Sequence, residues 1–128
     1  MKAILDTSVL IARQPLPPKI EAAISTISLT ELYFGVLTAP DPDTRAYRMT
    51  LLGRVETGFD TLPVDEKVAR ALGQLQAAVS NRGGKHRRRT ADLAIAATAL
   101  VHEATLLTRN YKDFKIVEDL VDVREPPA

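Results

Sequence analysis

Short apolar runs alternate with longer stretches of helical spacing along the chain. The runs at 3–5, 23–27, 59–64 and 105–108 have the length of buried strands, and 121–123 is a shorter fifth candidate. Helical spacing predicts helices over 7–13, 29–37, 43–57, 65–79, 91–103 and 111–114. This alternation favours an α/β fold, with a mostly parallel central sheet and helices on both faces. With 128 residues we expect a single domain spanning 1–128.

Capping and turn residues mark several boundaries. The proline-rich stretch 14–18 ends the first helix, because proline cannot continue a helix interior. Ser28 and Glu31 match a capping box, which would place a helix start at Ser28. Thr90 is a candidate N-cap for the alanine-rich helix. The intervening segment 81–89, with two glycines, predicts a flexible loop.

Acidic residues follow the predicted strands or open the helices after them. They are Asp6, Glu31, Asp92 and Asp113, with the amide of Asn110 beside the last. Each alone has a structural explanation as a helix cap or as a charge complementing a helix dipole. In a parallel sheet, however, these positions meet at the carboxyl edge, where such proteins bind ligands.

Carboxylates gathered at one edge repel one another, and a divalent cation relieves that repulsion. The chain has no cysteine, and its two histidines, His86 and His102, stand apart, so oxygen atoms must supply the ligands. Oxygen-rich sites suit Mg²⁺ or Mn²⁺, which keep bound waters and contact phosphate. The sequence therefore predicts metal-assisted phosphodiester hydrolysis.

Four blocks carry a family resemblance: ILDTSVLIA, SLTELYFG, ADLAIAATAL and LLTRNYKDF. Their order and spacing resemble those of PIN-domain ribonucleases of the VapC toxin type, over essentially the whole chain. The resemblance implies a PIN-like fold, an endoribonuclease activity, and metal ligands at Asp6, Glu31 and Asp92. A fourth ligand falls on Asp113 or on Asn110, where some relatives carry Asp. Supporting positions implied by the blocks are Ser8, near the metal, and Thr108 and Arg109, beside the phosphate.

The same resemblance implies partners. It predicts an RNA substrate, a VapB-type antitoxin whose C-terminal segment blocks the acidic site, and a homodimer. The N-terminus lacks the uninterrupted apolar region of a signal peptide, and no apolar run reaches the roughly 20 residues of a membrane span. We therefore expect a cytoplasmic protein without a membrane partner.

Positive charge is concentrated just before Asp92. The segment 81–89 holds five of the 17 Lys and Arg residues. The rest of the chain therefore has 12 Lys and Arg against 16 Asp and Glu and is acidic. A solvated loop explains this arrangement, but Arg87, Arg88 and Arg89 are also candidates to bind RNA phosphates beside the metal.

Two other functional classes remain open from the residues alone. A receiver-like phosphoacceptor domain also clusters acids around Mg²⁺, but it needs a lysine at a later strand end, where this chain has Arg109. A non-catalytic nucleic-acid-binding module would use the basic segment, with the acids as helix caps. Among nucleases, DNA cleavage of the flap type is disfavoured because the chain lacks room for a helical arch.

Overall fold

A computed structural model describes residues 1–128 of the chain. Its strands are β1 (Lys2–Leu5), β2 (Glu21–Ser25), β3 (Asp60–Leu62), β4 (Thr105–Leu107) and β5 (Val123–Arg124). Its α-helices are α1 (Thr7–Ala12), α2 (Thr26–Leu37), α3 (Pro42–Gly58), α4 (Glu66–Asn81), α5 (Thr90–Val101) and α6 (Tyr111–Phe114). None of these helices combines the length and apolar character needed to cross a bilayer.

The five strands form one parallel sheet in the order β3-β2-β1-β4-β5. The chain moves outward from β1 in one direction through β2 and β3, and later crosses to β4 on the other side of β1. The strand order therefore reverses between β1 and β4, which is where open parallel sheets bind ligands. Asp6 follows β1 at this point, and Thr108 follows β4. The α/β prediction is confirmed.

Helices cover both faces of the sheet over two separate cores. Ile4 and Leu106 face the core beneath α4 and α5, whereas Ala3, Leu5 and Leu107 face the core beneath α1, α2 and α3. This division follows from the two-residue period of a strand, which sends successive side chains to opposite faces. Both faces are apolar, so the strands appear in the sequence as continuous apolar runs.

The alanine-rich helix α5 is the most deeply buried helix. Every residue from 93 to 99 is buried, including Ala94, Ala96, Ala97 and Ala99. Small side chains let the helix axis approach the sheet and α4 closely. Asp92, in the first turn of α5, is consequently carried on a rigid element.

The start of α2 corrects the sequence prediction. Strand β2 ends at Ser25 rather than at residue 27, and α2 begins at Thr26 rather than at Leu29. Ser25 is the N-cap, and its side chain accepts a hydrogen bond from the Ile27 N–H at 3.0 Å. The predicted capping box is therefore wrong, and Glu31 lies inside the helix. Parallel pairing of Ser25 with β3 fixes the end of the strand, which local sequence cannot reveal.

The segment 81–89 is ordered rather than loop-like. Gly83 has a φ of +80°, its N–H donates to Ser80, and the N–H of Gly84 donates to Val79, which together make a Schellman ending for α4. A Cβ on Gly84 would lie 2.7 Å from Val79, so only glycine fits there. A 3-10 helix, His86–Arg89, then leads directly into α5.

The predicted N-cap at Thr90 is also wrong. Arg89 occupies the cap position without a side-chain cap, and the hydroxyl of Thr90 donates to the Arg87 carbonyl at 3.2 Å. The 3-10 helix therefore leads into α5 without a side-chain cap between them.

Candidate functional site

Asp6 lies at the carboxyl end of β1 and is almost fully buried, with 4% of its surface exposed. It occupies the N-cap position of α1, but its side chain does not cap that helix. Instead its Oδ2 accepts hydrogen bonds from the Ser8 hydroxyl at 2.7 Å and from the Thr108 hydroxyl at 2.8 Å. Its carboxylate is thus held by two neutral donors and has no cationic partner.

Ser8 and Thr108 join the loops that follow β1 and β4. The Ser8 hydroxyl accepts the Arg109 N–H at 3.1 Å, and the Thr108 hydroxyl accepts the Asn110 N–H at 3.0 Å. Because each hydroxyl donates to Asp6, these backbone contacts fix the donors in place. The side chain of Arg109 binds Gln14 at 2.9 Å, so only its backbone N–H is bound at this site.

Glu31 reaches the same edge from α2. Its side chain accepts a hydrogen bond from Thr7 at 2.6 Å, measured from Oγ1 to Oε1. Thr7 in turn lies 2.9 Å from the Ser28 hydroxyl, and both Thr7 and Ser28 are buried. Sequence reasoning missed these two residues. The signal was available, because Ser28 and Glu31 are three residues apart and therefore share one helix face.

Asp92 faces the other carboxylates from the first turn of α5. Partial burial, reinforced by the negative charges of Asp6, Glu31 and Asp113, raises the pKa of Asp92 to about 6. Arg89 is the opposing cation, and its effect is the smallest of these. Asp92 is therefore within electrostatic reach of carboxylates from three other segments of the chain.

The fourth segment contributes Asp113 more clearly than Asn110. Asn110 occupies the N-cap position of α6 without a side-chain cap, and both residues are exposed. The charge of Asp113 acts on Asp92, whereas an amide carries no charge. The backbone carbonyl of Asp113 also accepts a hydrogen bond from the guanidinium of Arg89, which anchors α6 to the basic 3-10 helix.

The arginines of the segment 81–89 differ in their partners. Arg82 is bound through its two terminal guanidinium nitrogens to Asp119, at 2.7 and 3.1 Å, and through one of them to the Ile116 carbonyl. Arg87 and Arg88 are exposed on the 3-10 helix and form no salt bridge. Arg87 and Arg88 thus remain available to an anionic ligand, whereas Arg82 serves the structure.

The donor set fits a hard divalent cation. All candidate ligands are carboxylate, hydroxyl or amide oxygens, and partial burial makes the charge of Asp92 costly. No three acidic or histidine side chains lie close enough to coordinate one ion together. Mg²⁺ commonly binds through one or two carboxylates and keeps several waters, so it does not require three carboxylates on one ion.

Comparison with known proteins places the chain among characterised relatives. A PIN domain family model matches residues 3–120. Ribonuclease VapC5 of Mycobacterium tuberculosis is 34% identical, with 94% of this chain and 90% of the relative aligned. Ribonuclease VapC1 of Rickettsia felis is 36% identical, over 94% of this chain and 93% of the relative. The crystal structure of VapBC-5, a member of the VapBC toxin–antitoxin family from Mycobacterium tuberculosis, superposes with a TM-score of 0.84 at 33% identity, covering 99% and 98% of the two chains.

Proposed function

This chain belongs to the PIN-domain family of VapC-type endoribonuclease toxins, and we propose that it hydrolyses RNA phosphodiester bonds with a divalent metal ion. The ion would bind at the acidic edge, which consists of Asp6, Glu31, Asp92 and Asp113. The proposed ligands are Asp6, Glu31 and Asp92, with Asp113 as the fourth acid. The observation that carries this proposal is the electrostatic environment of Asp92: the charges of Asp6, Glu31 and Asp113 all act on this partly buried carboxylate, against one nearby cation, Arg89. A structural set of helix caps would not require such crowding.

The proposed chemistry divides between the ion and the protein. A bound Mg²⁺ or Mn²⁺ polarises the phosphate and lowers the pKa of a water molecule. Ser8 and Thr108 orient the Asp6 carboxylate, and Thr7 orients that of Glu31. Asp92 holds its position because α5 is packed rigidly against the sheet. Such support keeps ligands within the small tolerance that a catalytic site needs.

RNA is proposed to approach from the 3-10 helix His86–Arg89. Arg87 and Arg88 supply positive charge next to α5, and their exposure leaves them accessible to backbone phosphates. Arg89 has a different role, since its guanidinium binds the Asp113 carbonyl. The proposed channel therefore runs from the basic 3-10 helix to the acidic edge.

A cleavage assay tests the proposal and its alternatives. The purified chain is incubated with end-labelled RNA and Mg²⁺, with the same reaction in EDTA and with Asp92→Asn as controls. We expect cleavage in the first reaction alone. RNA binding without cleavage would favour the non-catalytic module, and transfer of label from acetyl phosphate to a carboxylate would favour the receiver-like alternative.

An antitoxin partner and a homodimer complete the proposal. A groove of about 530 Å³ runs beside Glu31 between α1, α2 and α3, and Ile11 and Tyr47 on its wall are more than half exposed. Phe34 and Leu37, 57% and 69% exposed, extend the apolar surface of α2. We expect the C-terminal segment of a VapB-type antitoxin to occupy this groove and cover the acids. The relative solved as VapBC-5 supports such a partner.

Copurification tests the antitoxin surface. Paired substitution Ile11→Glu and Tyr47→Glu, both on the groove wall, should abolish copurification of the coexpressed antitoxin, whereas Leu120→Glu, at an exposed apolar residue outside the groove, should not. Equal retention by both variants would move the antitoxin surface elsewhere. Light scattering of the isolated chain tests the homodimer, and a mass of one chain would contradict it.

A further inference from the structure

Three side-chain oxygens form a continuous row from the interior of the protein to the acidic edge. The Ser28 hydroxyl lies 2.9 Å from the Thr7 hydroxyl, which lies 2.6 Å from Oε1 of Glu31. Ser28 has no exposed surface and Thr7 is 8% exposed, whereas Glu31 is exposed. The row thus connects an exposed carboxylate to two buried hydroxyls.

The proton order in this row follows from the acceptor at its end. An ionised carboxylate can only accept, so the Thr7 hydroxyl must donate to Glu31. A hydroxyl has a single proton, which leaves Thr7 able only to accept from Ser28. The hydrogen bonds therefore run in one direction, from Ser28 to Thr7 to Glu31.

Ser28 differs from two other hydroxyls inside helices of this chain, those of Thr30 and Thr98. Thr30 and Thr98 bond back to the carbonyl four residues earlier, at 3.3 and 2.9 Å, as hydroxyls inside helices commonly do. The Ser28 hydroxyl instead takes the Thr7 hydroxyl on another helix as its partner. Its buried proton is directed at the next member of the row.

We propose that Ser28 is a positioning residue for Glu31 and acts only through Thr7. By donating to Thr7, Ser28 prevents the Thr7 hydroxyl from turning away, and the Thr7 proton then holds the Glu31 carboxylate at the acidic edge. Glu31 is otherwise exposed and on a flexible side chain, so it depends on this hold. The inference rests on the proposed function, in which Glu31 is a metal ligand.

Metal binding without RNA is the direct test. Mn²⁺ affinity is measured by calorimetry for the full chain, Thr7→Val, Ser28→Ala, the double variant and Asp92→Asn. Loss of a residue that orients a ligand typically weakens metal binding about 10- to 100-fold. We expect about tenfold weaker binding for Thr7→Val, a smaller loss for Ser28→Ala, and no further loss when Ser28→Ala is added to Thr7→Val.

A matched control separates positioning from stability. Ser25 is also fully buried and makes a side-chain hydrogen bond, but that bond caps α2 and does not connect to Glu31. Ser25→Ala should lower the melting temperature and leave Mn²⁺ affinity unchanged. Raising the Mn²⁺ concentration should restore the RNA cleavage rate of Ser28→Ala but not that of Asp92→Asn. If Ser28→Ala does not fold, Ser28→Cys provides the same comparison, since a thiol fills the volume but donates weakly.

The outcomes distinguish this inference from the proposed function. Parental Mn²⁺ affinity in Ser28→Ala, or additive losses in the double variant, would overturn the role of Ser28 while Asp92-dependent binding kept the metal site intact. Failure of the parent chain to bind Mn²⁺ in an Asp92-dependent way would overturn both.

Discussion

The acidic edge has a held side and an open side. On the held side, Asp6 and Glu31 accept hydrogen bonds from Ser8, Thr108 and Thr7, all shorter than 3 Å. The carboxylates of the open side, Asp92 and Asp113, accept no side-chain hydrogen bond. Both sides carry two negative charges, but only one has its carboxylates fixed by donors from the protein.

This difference indicates that the two sides contribute differently to metal binding and to RNA binding. A carboxylate that is already oriented loses little freedom when an ion binds, so the held side should determine metal affinity. The open side keeps its repulsion until a cation arrives, and it faces the basic 3-10 helix through Arg89. The open side should therefore respond more to RNA and to pH. The following predictions test this comparison, from the largest expected effect to the smallest.

Removing the charge of Asp6 should have the largest effect. Asp6→Asn keeps a carbonyl oxygen for Ser8 and Thr108 but cannot neutralise a cation, so RNA cleavage with Mg²⁺ should fall below detection. Asp122→Asn is the matched control, because Asp122 also accepts a threonine hydroxyl, from Thr105 at 2.9 Å, but is not among the acids that act on Asp92. Cleavage by Asp6→Asn at the control's rate would contradict the metal site.

Glu31→Gln should cause the next largest loss. The glutamine carbonyl can still accept the Thr7 proton, so the variant removes charge while keeping the hydrogen bond. Cleavage should fall at least about tenfold, since metal binding and activity are sensitive even to the neighbours of ligands. The melting temperature should change little, as measured by circular dichroism. Full activity in this variant would return Glu31 to a structural role.

The open side can be dissected at α6. Asp113→Asn should reduce cleavage several-fold, less than Glu31→Gln, whereas Asn110→Ala should have little effect because its amide supplies no charge. The double variant with Asn110→Asp and Asp113→Asn tests whether either position can provide the fourth acid. We expect its cleavage rate to recover in part relative to Asp113→Asn alone. Cleavage rates at several Mg²⁺ concentrations provide the measurement. A larger loss in Asn110→Ala than in Asp113→Asn would assign the fourth ligand to Asn110.

The exposed arginines should affect binding rather than chemistry. Replacing Arg87 and Arg88 by Gln should flatten the dependence of log RNA affinity on log salt by about 1.4, since each contact with single-stranded RNA contributes about 0.7. Binding is measured in the Asp92→Asn background so that the RNA survives. Arg89→Gln is tested separately, because it also breaks the contact with Asp113. An unchanged salt slope in a folded double variant would make Arg87 and Arg88 a solvated surface.

The smallest effect concerns stability without metal. The pKa of Asp92 rises from 3.8 to about 6 on folding, chiefly by burial, so the folded state binds the proton more tightly. The raised pKa lowers the free energy of unfolding by its full amount above about pH 6, where Asp92 is ionised in both states. Below pH 3.8, where Asp92 is protonated in both states, it has no effect. In EDTA near neutral pH, Asp92→Asn should be more stable by about 1–2 kcal/mol, discounted for partial exposure. The advantage should shrink on acidification, as denaturant unfolding can measure. A stability advantage of Asp92→Asn that grows on acidification would contradict the effect of burial and neighbouring carboxylates on Asp92.

Much of the fold and of the candidate site could be anticipated from sequence. The alternation of strand and helix segments predicted a mostly parallel sheet covered on both faces, and acids at strand ends predicted that they meet at the carboxyl edge. The start of α2, the role of Ser28 and the shape of 81–89 were mispredicted. For the start of α2 and the role of Ser28, a local motif competed with a contact from elsewhere, such as the pairing of Ser25 with β3, and the distant contact decided the outcome.

Sequence by itself determined the chemistry available to this protein. Without cysteine, and with two separated histidines, only oxygen ligands remain, and four ordered blocks supplied Asp6, Glu31 and Asp92 together with the family resemblance. Tertiary structure decided how those acids are held. Ser8 and Thr108 are 100 residues apart and reach the same carboxylate only because β1 and β4 are neighbours in the sheet. Local patterns report which faces are apolar and which residues carry charge, but hydrogen-bond partners depend on which strands lie side by side.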